Sequence, residues 1–87
     1  MEEVRAKVMG FILESLLLGD DSRMPETDDS LVENGVIDST GILELIEFLE
    51  AEFSVLVADD ETVPENLDGI DRITAYVVSK RRAEIVG

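Results

Sequence analysis

The chain of 87 residues contains no cysteine and no histidine. Without cysteine it has neither a disulfide framework nor a thiolate nucleophile of its own. Without histidine it lacks the side chain that most often acts as a general base or a metal ligand. These two absences remove the usual materials of an active site, so an enzyme ranks last among the function classes we consider.

Basic residues are also scarce. Lysine and arginine together number 7 against 21 aspartates and glutamates, which gives a net charge of −14. Phosphates of nucleic acid and of anionic membrane surfaces would repel such a chain. The charge instead favours basic protein partners, met quickly and with salt sensitivity. Repulsion between copies predicts a monomer.

Long apolar runs are missing as well. No stretch approaches the length that spans a membrane, and the acidic start Met1-Glu2-Glu3 lacks the apolar core of a signal peptide. We therefore expect a soluble, cytoplasmic protein. Hydrophobic residues still make up 45% of the chain, enough for folding. The length supports one small domain, residues 1–87, with its core between about 4 and 82.

Apolar residues recur at helical spacing in several segments, and none shows the alternation of a strand. The predicted helices cover, in order, residues 2–18, 40–53, a short 63–67 and 70–82. Gly19 is a typical helix end, Thr62 a possible cap of the short helix, and Pro64 a suitable first residue. We predict an all-α fold: a small bundle of three main helices plus one short helix, with a long loop between helices one and two.

The expected core follows from the same spacing. Its predicted helical members are Val4, Val8, Phe11, Ile12, Leu18, Ile42, Leu45, Ile46, Leu49, Phe53, Ile70, Ile73, Tyr76 and Val77. The loop 20–38 is long for a compact domain, so it needs anchors or a function. The predicted anchors are Leu31, Val32, Val36 and Ile37, and Val55 and Val57 are expected to plug the core after helix two.

Ser39 is the first candidate for a functional residue, because it directly precedes the most regular amphipathic segment of the chain. A helix N-terminus offers unpaired N–H groups and the positive end of the helix dipole, which suit an esterified phosphate. The plain alternative is that Asp38 or Ser39 only caps the helix, as both residue types often do. The dipeptide alone does not choose between these interpretations.

Paired aspartates at 20–21, 28–29 and 59–60 raise the question of a calcium site. An EF-hand loop requires glycine at its sixth position and glutamate at its twelfth, and none of these pairs begins such a loop. We predict no dedicated metal site, which leaves only loose binding of divalent ions.

A wider pattern surrounds Ser39. Its parts are Gly35-x-x-Asp38-Ser39, Leu49-Glu50-x-x-Phe53, Pro64-Glu65-Asn66-Leu67 and Ala75-Tyr76-Val77. Their joint spacing resembles the acyl carrier protein family, peptidyl carriers included, over about residues 4–82. The resemblance implies a non-catalytic carrier whose Ser39 receives 4′-phosphopantetheine from coenzyme A through a phosphopantetheinyl transferase. The thiol then belongs to the arm, which accords with a chain that has no cysteine.

The resemblance also implies roles for neighbouring residues. Asp38 and Thr40 flank the attachment point, and Asp38 would help the transferase dock or hold its metal, besides its possible role as a cap. Partner docking falls to Leu43, Glu44, Glu47 and Glu50, for which a solvated helix face is the alternative. A pocket for short acyl chains would be bordered by Leu45, Ile46, Leu49, Leu56, Ile70 and Ile73, which are first of all core candidates. For Phe48 we favour a place in the core.

The chain departs from the family's usual pattern after the serine. Thr40 and Gly41 stand where the family most often has leucine and then a polar or acidic residue, which looks more like stand-alone carriers of specialised biosynthesis. Gly41 weakens the first helical turn by roughly 1 kcal/mol relative to alanine, and it would let a partner's backbone come close. Glu47 replaces a usual apolar residue and makes the docking face more acidic.

The sequence therefore predicts a discrete acyl carrier protein of fatty acid or polyketide type, which presents thioesters to separate enzymes with basic patches. Its partners would be the transferase, an acyl- or aminoacyl-activating ligase and the downstream biosynthetic enzymes. The alternatives are an aminoacyl or peptidyl carrier loaded by an adenylating ligase, and an acidic helical adaptor that bears no arm.

Overall fold

A computed structural model of the chain describes the backbone of residues 1–86 and the side chains of residues 1–81. Its helices are α1 (Glu2–Phe11), α2 (Ser39–Phe53), α3 (Pro64–Leu67) and α4 (Ile70–Val86). A π-helical turn, Ile12–Leu16, continues α1, and single 3₁₀ turns cover Asp21–Arg23 and Asp59–Glu61. The described backbone contains no strand. The predicted all-α bundle, with a long loop before its second main helix, is confirmed.

The π-helical turn changes which leucine enters the core at the end of the first helix. The N–H of Leu17 donates to the carbonyl of Ile12 at 2.9 Å, five residues back instead of four. That extra residue rotates the following chain, so Leu17 is buried and Leu18 is 85% exposed. The prediction of Leu18 in the core is wrong for this reason. Leu18 also adopts a left-handed backbone, with φ of 54°.

The short helix α3 begins as the proline predicts but without the expected cap. Pro64 is its first residue, and the N-cap position falls on Val63, whose side chain offers no hydrogen bond. The hydroxyl of Thr62 instead donates to the carbonyl of Ala58 at 3.3 Å, within the preceding 3₁₀ turn. Thr62 therefore stabilises the connection and does not cap α3.

Helix α4 runs to Val86, beyond the predicted end at 82. Lys80, in the basic run Lys80-Arg81-Arg82, carries a charge that suits the negative end of a helix dipole. Its ammonium group instead donates to a carboxylate oxygen of Glu61 at 2.9 Å. The side chain of Arg82 lies outside the described residues.

The core forms around α4, against which α1, α2 and α3 all pack. Most of the predicted core is buried, including Val4, Val8, Ile12, Leu45, Leu49, Phe53, Ile70, Ile73, Tyr76 and Val77. Phe11, Ile42 and Ile46 are partly buried against it. Leu31, Val36 and Ile37 anchor the long loop and Val55 plugs the end of α2, as predicted, with Val57 packed at the edge.

The chain's three phenylalanines meet at the junction of α1 and α2. Phe11 and Phe48 stack with ring centroids 4.6 Å apart, and Phe48 meets Phe53 edge to face at 5.9 Å. Such pairs contribute about 0.5–1.5 kcal/mol beyond the apolar area that they bury. Phe48 packs against the core, as favoured from the sequence.

Asp68, at the end of α3, holds the long loop against the helices. Its carboxylate accepts hydrogen bonds from the Ser30 hydroxyl and from the N–H of Val32, the latter at 2.9 Å. Val32 itself is 53% exposed, so its predicted role as an apolar anchor is wrong. The backbone N–H of Val32, and not its side chain, holds this residue in position. The bond to Asp68 therefore sets the path of the loop towards α2.

Candidate functional site

Ser39 is the first residue of α2, and its side chain is exposed. The preceding Asp38 has extended backbone and accepts the N–H of Gly41 through Oδ1 at 2.8 Å. Asp38 is thus the N-cap of α2, the plainer of the two roles considered from the sequence. Because the aspartate carries out the capping, the Ser39 hydroxyl is left on the surface and is not used as the cap.

Gly41 is buried in the first turn of α2, and its packing accounts for a glycine at the second position after the serine. A Cβ atom at this position would lie 2.9 Å from Cγ1 of Ile37 and 3.4 Å from both Oδ1 of Asp38 and Cδ2 of Leu16. The close approach is therefore made by the protein's own loop. The expectation that Gly41 would admit a partner's backbone is corrected, since its surroundings are already filled.

An open groove lies beside the start of α2. It is bounded by Ser15 at the end of the first helix, by Arg23 in the 3₁₀ turn, and by Asp38, Thr40 and Glu44. Ser39 stands between two residues that line this groove. The structure thus brings Asp38 and Thr40, both predicted near the attachment point, to one surface with a basic residue that the sequence analysis did not single out.

The predicted docking residues on α2 fall into two groups. Leu43 is 64% exposed, and Glu44 and Glu47 are exposed, with no ion pair to any described side chain. We call these three residues the helix-two surface. Glu50 is half-buried, and its Oε2 accepts the N–H of Val57 at 3.0 Å. One of its oxygens is therefore engaged in holding the link that follows α2.

The six residues predicted to border an acyl pocket are dispersed. Leu45, Leu49, Ile70 and Ile73 are completely buried in the core, Ile46 is half-buried, and Leu56 is 75% exposed. None of them lines the small apolar recess between the loop, α2 and α3, which has a volume of about 80 Å³. That recess is formed mainly by Val32, Ile37, Ile42, Val63, Pro64 and Leu67. Sequence spacing within one helix could not indicate it, because three separate segments supply its walls.

Two further features concern metals and membranes. Within the described part of the chain, no three carboxylate-bearing side chains come together as a set of metal ligands. No helix among the described residues is both long and apolar enough to cross a membrane.

Comparison with known proteins shows a similarity that covers most of the chain. The chain is 36% identical over 72 residues to the D-alanyl carrier protein of Streptococcus suis (strain 05ZYH33). The aligned segment covers 83% of this chain and 89% of that protein. No family model matches the chain. The similarity thus rests on an alignment of nearly complete domains.

Proposed function

The chain belongs to the acyl and peptidyl carrier protein family and is a discrete, non-catalytic carrier, and from that premise we propose that it carries an amino acid as a thioester on 4′-phosphopantetheine attached to Ser39. This is the alternative of the sequence analysis, which placed acyl cargo first. The similarity to a D-alanyl carrier over 89% of that protein's length carries the change of preference. D-alanine is accordingly the first cargo to test, loaded by an adenylating ligase.

The surroundings of Ser39 support its role as the attachment point. Its hydroxyl is exposed at the start of a helix of 15 residues, where unpaired N–H groups and the helix dipole favour a phosphate ester. Carriers of this family bear a phosphopantetheine arm, which supplies the reactive thiol. The chain offers no cysteine that would compete with it. Asp38 and Thr40 flank the hydroxyl and are the residues that a transferase would meet first.

The packing of the core supports a small cargo. Leu45, Leu49, Ile70 and Ile73 all belong to the buried core and have no exposed surface. The apolar recess near Ile42 has a volume of about 80 Å³, roughly half of the ~150 Å³ that accommodates benzene in an engineered protein cavity. An amino acid held outside the core needs no such space, whereas a long acyl chain would have to open the bundle.

Docking of the transferase and of the ligase is assigned to the helix-two surface. Exposed carboxylates of Glu44 and Glu47 attract basic patches at long range, and Leu43 offers apolar contact at short range. Glu50 contributes less, because one of its oxygens already accepts a backbone N–H. Fast, weak and charge-steered binding suits a carrier that must visit several enzymes.

The attachment of the arm is tested by intact mass. The purified chain is incubated with coenzyme A, magnesium and a broad-specificity phosphopantetheinyl transferase. We expect one arm per chain, lost in Ser39→Ala and retained in Ser79→Ala, which changes another exposed serine. No mass gain with several transferases would refute the carrier assignment of Ser39 and favour the unmodified adaptor.

The cargo is tested on the chain that bears the arm. It is offered D-alanine, L-alanine and fatty acids with the corresponding adenylating or acyl-activating ligases, and thioester formation is followed by mass. We expect loading with an amino acid and none with long fatty acids. Exclusive loading with fatty acids would overturn the aminoacyl assignment while leaving the carrier assignment intact.

A further inference from the structure

None of the described side chains forms an ion pair with Arg23, although the chain is strongly acidic. Arg5, Lys7 and Lys80 all form ion pairs with carboxylates, and Arg72 donates to the carbonyl of Pro64 at 3.3 Å. Arg23 has no such partner among the described side chains, although acids outnumber bases 21 to 7. Its isolation therefore does not come from a shortage of carboxylates.

The turn that bears Arg23 engages a neighbouring acid, Asp20, in local hydrogen bonds. Oδ1 of Asp20 accepts both the N–H and the hydroxyl of Ser22, which caps the 3₁₀ turn Asp21–Arg23. The turn is closed by the N–H of Met24, which donates to the carbonyl of Asp21 at 3.2 Å. Arg23 thus lies in a turn whose backbone is held locally, while its guanidinium bonds to none of the side chains that the structure describes.

Arg23 lines the groove beside Ser39. The other charged residues of that groove are Asp38 and Glu44, both acidic. The carboxylate of Asp38 is partly compensated by the N–H of Gly41, but Glu44 has no ion-pair partner among the described residues. A phosphodiester on Ser39 would add negative charge to a surface that already carries two carboxylates, in a chain of net charge −14. Arg23 is the one basic side chain among the groove residues that the structure describes.

We propose that Arg23 binds the phosphodiester that joins Ser39 to its phosphopantetheine arm, and so fixes the direction in which the arm leaves the protein. The inference rests on the proposed modification of Ser39. Guanidinium is suited to this contact, because its planar set of N–H donors matches the oxygens of a phosphate. The contact offsets the repulsion from Glu44 and holds the root of the arm in the groove between the first helix and α2.

The guanidinium of Arg23 could also bind phosphate from a second source. Coenzyme A presents its own phosphates while the transferase is bound, and Arg23 could contact those instead of the arm. The two sources differ in time: the contact with the arm persists after transfer, and a contact with coenzyme A ends when the free nucleotide leaves.

The experiment uses the full chain bearing the arm, in its natural form and as Arg23→Gln, Arg23→Lys and Arg81→Gln. Arg81→Gln is the matched control, because it removes the same charge from an exposed residue of α4. Arg81 lies near Lys7, and Lys7 pairs with Glu52. Glu52 is at the end of α2 opposite to Ser39, so the control charge is remote from the arm. Phosphorus NMR measures the chemical shift and transverse relaxation of the phosphodiester. Nitrogen NMR follows the Arg23 Nε signal before and after modification.

We expect Arg23→Gln to move the phosphorus signal and lower its relaxation rate, while Arg81→Gln leaves both unchanged. Arg23→Lys should keep part of the effect, since it retains the charge without the planar donors. The difference between the natural chain and Arg23→Gln should shrink from low salt to about 1 M salt, where the Debye length falls to about 3 Å.

A modified chain whose phosphorus signal is the same with and without Arg23 would overturn the inference. So would a slower transferase reaction in Arg23→Gln combined with an unchanged phosphorus signal in that variant and an Arg23 Nε signal of the natural chain that does not move on modification, because the contact would then belong to coenzyme A. A chain that takes no arm at all would instead refute the proposed function, and the mass measurement separates that result from the others.

Discussion

Acidic residues have two different roles in two regions of this molecule. Glu61 and Asp68, in the connections around α3, each accept several hydrogen bonds and hold distant segments together. Glu44 and Glu47 on the helix-two surface are exposed and have no ion-pair partner among the described residues. The residue types are the same, and only the neighbours that the fold supplies separate a structural acid from one that is free to meet a partner.

The structural acids show the effect of those neighbours on their ionisation. Hydrogen bonding from Lys80, then from the N–H of Ala58 and from Tyr76, lowers the pKa of Glu61. Partial burial raises the pKa of Asp68, but hydrogen bonds from Ser30 and from the N–H groups of Val32 and Leu31 outweigh it, so the pKa is lowered overall. Both carboxylates are thus stabilised in their charged form by contacts that bridge separate parts of the chain.

The largest predicted difference in the free energy of unfolding is between substitutions on the buried face and on the exposed face of α2. Leu45 is fully buried and Leu43 is 64% exposed. Leu45→Ala should cost about 2–5 kcal/mol in the free energy of unfolding, because it leaves a cavity in the core. Leu43→Ala should stay within about 0.5 kcal/mol but slow loading by the ligase. Urea denaturation and loading rates measure the two effects, and equal destabilisation by both changes would contradict the assignment of faces.

The next effect concerns Asp68 as a structural acid. Asp68→Ala removes the acceptor for the Ser30 hydroxyl and the Val32 N–H, which should lower the free energy of unfolding by about 2 kcal/mol. Ser30→Ala removes one of these bonds and also the exposed bond in which its hydroxyl accepts the N–H of Glu33 at 3.0 Å. It leaves the Val32 bond of Asp68 in place and should cost less. Urea denaturation of both variants checks the order, and the opposite order would show that the loop is held by other contacts.

Gly41→Ala tests the tight packing beneath Ser39. The added Cβ would lie 2.9 Å from Cγ1 of Ile37, and such overpacking costs about 1–3 kcal/mol. The better helix propensity of alanine offsets roughly 1 kcal/mol of this, so we expect a small net loss of stability and slower attachment of the arm. Gly10→Ala is the control, because a Cβ there meets no atom within 4 Å. Faster attachment in Gly41→Ala would contradict the packing argument.

The pH dependence of the free energy of unfolding should reveal the contribution of the Glu61 carboxylate to stability. Its pKa in the folded state lies below the ordinary value of 4.5, so its contribution is present above that value and is lost as the pH falls through the lowered pKa. Glu61→Gln should therefore flatten the decline of stability in acid, whereas Glu65→Gln, at an exposed site, should not. The midpoint of urea denaturation measured across this pH range checks the prediction. An unchanged acid profile in Glu61→Gln would remove Glu61 from the structural acids.

The smallest effect is expected for the free acids. Glu44→Gln with Glu47→Gln should leave the fold unchanged and weaken binding to a basic partner enzyme by roughly two- to thirtyfold, since each of the two exposed ion pairs contributes about 0.2–1 kcal/mol. The loss should fade at high salt. Asp60→Asn with Glu65→Gln removes the same charge from other exposed sites. Binding that is equally weakened by both pairs would show a general charge effect and no specific docking surface.

Helical spacing predicted the inner face of α2 and of α4 correctly, because Leu45, Leu49, Ile70 and Ile73 repeat at the period of a regular helix. It failed at Leu18, where a five-residue hydrogen bond changes the period within the first helix. The exchange of Leu17 for Leu18 could not be read from the residue types, since both are leucine.

The candidate site divides in the same way. The position of Ser39 at the start of α2 follows from the residues around it, although only the structure decides that Asp38 is the cap. The groove does not, because Ser15, Arg23 and Glu44 come from three segments that only the folded chain brings together. Local rules would place Thr62 and Lys80 at helix ends. In the structure Thr62 instead donates to Ala58 in the adjoining turn, and Lys80 pairs with Glu61, which is distant in sequence.

Local order along the chain determined the helices, the acidic character and the serine that opens the second main helix, because helical periodicity and capping act over a few residues. Tertiary structure alone decided which acids are engaged and which are free, where the small recess forms, and why Gly41 must be small. Those properties depend on atoms that are far apart in sequence, and their separation is set by packing and not by spacing along the chain.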